Sequence, residues 1–205
     1  MPYRLLSLSL YLTELFVFSL PNLFLPMIAD QLINDVCASR QRYLQQIAQL
    51  SQVQAEWKPS ADVWNVIEIT EHLFWAEQGG ILSMWKAVLA HQQGKTVWEG
   101  EDVHQGLAIE VVVERTWQPK EIVPAVAAPR LGGPIGYWAS MLQSLDTPLQ
   151  ALGHQLSDES LAIMTPPHPI SGPLNLQQRL EFLRFHIDRH YQQVEQLLQQ
   201  LPLFE

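Results

Sequence analysis

Residues 176–201 read LQQRLEFLRFHIDRHYQQVEQLLQQL, and this stretch decides the fold. Leu176, Leu180, Leu183, Ile187, His190, Val194, Leu197 and Leu201 follow a four-three-four-three alternation, with Gln, Glu and Arg between them. Apolar residues at that spacing form one stripe of an α-helix, and so regular a stripe is the core seam of a helical bundle. Asn175, with Gln178 three residues on, marks the start, because the pair satisfies N–H groups that the first turn leaves without partners. His190 occupies an apolar position of the seam, and His186, one turn earlier, lies beside it. Two imidazoles therefore point toward the bundle interior. An unsatisfied polar group there costs about 1–3 kcal/mol, so the pair needs a shared partner, and a metal ion is the simplest one.

Seven histidines produce about 0.2 His-x-x-x-His pairs by chance in a chain of this length, so a third ligand is required. Upstream, Asn65 followed by Glu68 repeats the helix-start signal, and the stretch it opens runs to about Gln93 and stops at Gly94. His72 lies two turns into it, with Glu68 and Ile69 below and Trp75 and Ala76 above, and is the best third candidate. Glu68 has two readings: capping partner of Asn65, or an acceptor or general base beside a metal. Gly79-Gly80, further along, weakens a helix and points to a kink or a close backbone approach, making room for a substrate or for Trp85. A zincin site is excluded, since Ile187 stands where His-Glu-x-x-His needs its glutamate. His91, near a helix end, His104, His154 and His168 rank below the chosen three.

The remaining chain completes four helical stretches. Ile28, Leu32, Val36, Tyr43, Ile47 and Leu50 recur at helical spacing in a first helix running from Ile28 to about Ala55. Residues 94–135 lose the period and end in Pro124, Pro129, Gly132, Gly133 and Pro134, which predicts a long loop with one short strand at Val111–Val113. A third helix is predicted over Tyr137–Gln155, kinked or broken near Thr147 by Pro148. The fold class is all-α, a four-helix bundle with a long loop between its second and third helices.

A chain of 205 residues with 47% hydrophobic and 16% charged residues buries one ordinary core. Its net charge of -9 repels phosphate backbones and excludes nucleic acid as the expected partner. Cys37, the single cysteine, makes neither an internal disulfide nor a thiolate zinc site and reads as a small buried apolar residue. A metal site here must use histidines with carboxylates or water. Residues 1–26 form a hydrophobic extension with one charge, Glu14, between Leu5 and Met27. Three readings stand for it: a mis-called start ahead of Met27, a membrane or signal segment, or an extra packed element. The domain proper is placed at residues 27–205, with membrane association expected only if residues 1–26 are retained.

Trp64-Asn65-x-x-Glu68-x-x-x-His72-Leu73 resembles the Trp-Ser-x-x-Glu-x-x-x-His-Leu start of the second helix in the DinB/YfiT-like superfamily. Phe185 to Gln193 is similar to that family's His-x-x-Arg-His-x-x-Gln, and Ala128-Pro129 with Pro134 resembles its Ala-Pro and Pro pairing before the third helix. The resemblance spans about residues 28–200 and implies an up-down-down-up bundle with a divalent metal on His72, His186 and His190. It further implies a hydrolase, or a transferase or isomerase using a low-molecular-weight thiol such as bacillithiol or mycothiol.

Three neutral imidazoles leave a divalent ion an open position, where water or a thiol becomes a nucleophile at neutral pH. Zinc and nickel both suit nitrogen ligands. The expectation is a cytoplasmic metal-dependent hydrolase or thiol S-transferase acting on a small molecule. The alternative is a non-catalytic metal-binding or structural bundle, working as a homodimeric interaction module.

Overall fold

Three side chains start helices by the same device. Ser51, Asn65 and Asn175 each accept a hydrogen bond from the backbone N–H three residues on, while the side-chain oxygens of Gln54, Glu68 and Gln178 accept one from the cap residue's own N–H. In the computed structural model, which describes residues 28–117 and 122–202, the helices are α1 (Ile28–Ile47), α2 (Gln52–Glu56), α3 (Val66–Gln92), α4 (Ile109–Thr116), α5 (Ile135–Ser144), α6 (Asp146–Gly153) and α7 (Leu176–Leu198). A 3₁₀ turn covers Glu159–Ala162. The extension at residues 1–26, with its three readings, lies outside the described residues. Among those residues no helix is long and apolar enough to cross a membrane.

Side-chain pairs fix the direction of each helix. Arg40 meets Glu77 and Tyr43 meets Thr70, so α1 and α3 are antiparallel. Arg42 meets Asp188, and Gln46 donates to the carbonyl of Tyr191, so α1 and α7 run parallel. Glu71 holds residues 130–132 at the head of α5, and Trp85 donates to the carbonyl of Pro148 in α6, so α3 and α5–α6 are parallel as well. The order is up, down, down, up. Two parallel neighbours in sequence need a long return connection, and residues 93–134 supply it.

The core joins all four layers: Ile33, Val36 and Tyr43 from α1, Ile69, Leu73 and Met84 from α3, Trp138, Leu142 and Leu149 from α5–α6, and Leu180, Ile187 and Val194 from α7. Several sequence expectations are corrected here. The first helix ends at Ile47, and Ser51 caps a separate short α2 instead of continuing to Ala55. Val111–Val113 belongs to helix α4 and not to a strand, because Ile109, Val112 and Val113 share a helical face that packs on Leu174 and Phe182. The third helix breaks at Leu145, between α5 and α6, since the ring of Pro148 is incompatible with a helical carbonyl four residues back. Cys37 is half-buried against the core, and burial together with the Asp146 carboxylate pushes its thiol up to about 11.

Arg40 ties three helices. Its guanidinium contacts Glu77 of α3 at 2.5 Å and also Asp146 of α6, and both Arg40 and Glu77 are fully buried. Burial raises the Glu77 carboxyl above its usual range, with Arg40 pulling it partly back. Arg40→Met strands the buried carboxylate and is expected to cost about 3–5 kcal/mol in urea unfolding, whereas Arg40→Met with Glu77→Leu loses less than the single change. A double variant weaker than the single one would contradict this.

Candidate metal centre

The Asn65 and Asn175 caps set the registers of α3 and α7, and those registers bring His72, His186 and His190 together in the core. All three are buried. His186 Nε2 lies 3.1 Å from His72 Nε2 and 3.1 Å from His190 Nε2. Neighbouring rings fix the planes: Trp64 tilts against His72, and Phe182 stacks on His186.

The outer ring nitrogens determine what faces the centre. His72 Nδ1 donates to the carbonyl of Ala127 at 2.8 Å, and His190 Nδ1 donates to Gln193 Oε1 at 2.8 Å. A neutral imidazole carries one N–H, so both Nε2 atoms present lone pairs. His186 has at most one proton to offer at Nε2, and two lone pairs await it. Burial, then the neighbouring histidines and Arg189, holds His186 well below the usual imidazole range. Burial and His72 lower His190 to about 3, and burial lowers His72 against the opposing bond to Ala127. The trio is therefore neutral at pH 7, and at least one contact between lone pairs remains. A cation at the centre would resolve it, and nitrogens each about 2.0–2.1 Å from a zinc ion would lie about 3.3 Å apart, against 3.1 Å for the two pairs that His186 makes. His186 Nδ1 is buried with no partner among the described residues.

The segment that follows Ala127 is anchored by Glu71, the residue before His72. Its carboxylate accepts the N–H groups of Arg130, Leu131 and Gly132, and the indole N–H of Trp75. Burial alone would raise this carboxyl, but those donors outweigh it and hold it below the usual range. Arg130 also stacks over Trp75, 4.2 Å from the ring centre.

Beside the trio opens a cavity of about 730 Å³, lined by all three histidines and by Trp64, Trp75, Trp117 and Phe182. Glu68 is placed elsewhere: one oxygen takes the Asn65 N–H, and both contact Lys58 Nζ. Its carboxylate serves the cap. Gly80 is the close approach expected of the glycine pair, for a Cβ there would stand 3.2 Å from Leu183, while Gly79 faces open space. The partner across Gly80 is α7 and not Trp85.

Three contributors were missed in the sequence, while Gln193 stood there as the last residue of the motif that Phe185 to Gln193 resembles, without a role of its own. Glu71 reads there as one more charge on an apolar helix. His168 looked like part of a proline-rich loop but lines the cavity, where burial and Arg179 lower it to about 3. Arg179 lay off the apolar seam yet is buried on the same wall. Of the histidines ranked lower, His91 and His154 are exposed, and His104 is buried and bonded to the Ser171 carbonyl.

A family model described as the DinB superfamily matches residues 37–194. The solved structure of YfiT from Bacillus subtilis, described as a probable metal-dependent hydrolase with an unusual four-helix bundle topology, aligns at a TM-score of 0.57 and 13% identity. That match covers 84% of this chain and 86% of that one. A conserved protein from Enterococcus faecalis aligns at a TM-score of 0.49 and 13% identity, over 84% of this chain and 96% of its own. No curated protein matches in sequence. These likenesses concern the fold.

Glu71→Gln is expected to destabilise the protein by about 1.5–3 kcal/mol at pH 7, the size of a lost charged hydrogen bond. A carboxyl whose folded pKa is depressed contributes stability that is complete above its unfolded value, near 4.5, and is lost as pH falls through the folded value. The gap between wild type and Glu71→Gln should accordingly shrink below about pH 4.5 in denaturant titrations, and a gap independent of pH would count against this role.

Proposed function

Since the chain belongs to the DinB superfamily, we propose that it is a metal-dependent enzyme in which His72, His186 and His190 hold a divalent ion and a small molecule reacts in the adjoining cavity. The observation that carries the reading is the convergence of three buried histidines at the wall of a cavity, with His186 Nε2 at 3.1 Å from Nε2 of each of the others. Zinc or nickel suits an all-imidazole set. When bound, such an ion lowers the pKa of a water or thiol entering its open position and so supplies a nucleophile near neutral pH.

The chain's own residues do the rest. Ala127 and Gln193 hold the Nδ1 protons of His72 and His190, which keeps their Nε2 lone pairs inward and makes the rings better donors. Trp64, Trp117 and Phe182 give the cavity apolar walls that exclude bulk water from the reacting end. No carboxylate joins the histidine cluster among the described residues, so both hydrolysis by water and transfer to a low-molecular-weight thiol stay chemically consistent with the donor set. The likeness to YfiT, a probable metal-dependent hydrolase, favours hydrolysis. A purely structural bundle, alone or as a homodimer, accounts less well for histidines that open onto so large a cavity.

Elemental analysis of the purified full chain is expected to find about one divalent ion per molecule in wild type and at least tenfold less in His190→Ala. The loaded protein should then turn over a member of an ester, amide or thiol-conjugation panel. No metal in wild type, with helical circular dichroism intact, would overturn the proposal.

A further inference from the structure

Arg179 lies two turns before His186 on α7, about 10 Å along the helix axis, and lines the same cavity. It is 6% exposed, and its Nε and Nη1 are buried without a hydrogen-bond partner among the described residues. Those two atoms carry three N–H donors. The other buried arginine shows what this chain ordinarily does with such a group: Arg40 is given two carboxylates, Glu77 and Asp146. Among the described residues Arg179 is given none. Burial draws its pKa down to about 10, which leaves it charged at neutral pH. A charge kept in the interior without a partner is costly to the fold, and such a cost persists where the group serves a ligand.

The surroundings fit an anion. Gly80 faces the guanidinium, and a Cβ there would stand in ordinary contact with it, 3.5 Å from Nη2. His168, on the same wall, accepts the N–H groups of Ile170 and Ser171 at Nδ1, which leaves its Nε2 as a neutral donor. Asp62 is the one carboxylate among the described lining residues, and the remaining walls are largely aromatic, in a chain whose net charge is -9.

We infer that Arg179 anchors the substrate, and that the cavity takes a small molecule bearing a carboxylate on an apolar body, its carboxylate on Arg179 and its reacting end at the three histidines. The position of the reacting end rests on the metal-dependent reading above; the carboxylate site does not.

The test uses the full chain, stripped of metal and reloaded with zinc, titrated calorimetrically with 4-phenylbutyrate and with its neutral isostere 4-phenylbutanol. Wild type should bind the carboxylate at least tenfold more tightly than the alcohol in both states, and Arg179→Gln should reduce that preference to within about twofold while still binding zinc. Arg179→Gln and Arg179→Met should also melt about 2–4 °C higher than wild type, since an unpartnered buried charge has been removed. Equal binding of acid and alcohol by wild type, a preference unchanged in Arg179→Gln, or a lower melting temperature in both variants would overturn the inference. Zinc bound without any acid preference sinks this inference alone. Acid preference in a protein that binds no zinc upholds it and sinks the metal reading instead.

Discussion

Two imidazole lone pairs, on Nε2 of His72 and of His190, face the Nε2 of His186 with at most one proton to share between them, and the rest of this structure is arranged to keep them there. His72 and His190 have their Nδ1 protons committed to Ala127 and Gln193, so neither ring relieves the contact by changing tautomer without breaking a buried hydrogen bond. Rotation is opposed as well, because Trp64 and Phe182 pack on the rings of His72 and His186. Burial shuts off the remaining escape, protonation. The geometry thus suits a cation, and many small constraints hold it.

Those constraints come from different levels of the fold. The capping boxes at Asn65 and Asn175 fix where α3 and α7 begin, and hence which residues face inward. The parallel arrangement of α3 and α5–α6 requires a long connection, and its last part crosses α3 near His72, where Glu71 gathers three successive N–H groups. One acidic residue therefore anchors the segment that follows Ala127, whose carbonyl meets His72. The Arg40 cluster does comparable work across α1, α3 and α6, so that the two halves of the bundle hold their spacing around the site.

The seam of α7, both asparagine caps and the three histidines were legible in the sequence because each is a local pattern: periodicity, a cap with its partner three residues on, and polar residues standing at apolar positions. The rest depended on contacts between distant segments. Val111–Val113 has the composition of a strand, and only packing on Leu174 and Phe182 makes it helical. Glu71 and Arg179 look like ordinary helix charges until the fold buries them, one with four donors and the other with none. The break at Leu145 was visible as Pro148, displaced by two residues, because a proline disturbs the turn before it.

The most direct measurement is long-range proton–nitrogen NMR on the histidine rings of the full chain, first without metal and then with one equivalent of zinc. The account predicts Nδ1–H tautomers with bare Nε2 atoms at His72 and His190 in the metal-free protein, and a shift of all three Nε2 signals to metal-bound values when zinc is added. Nε2–H tautomers at His72 and His190, or zinc that leaves the three signals unmoved, would contradict it.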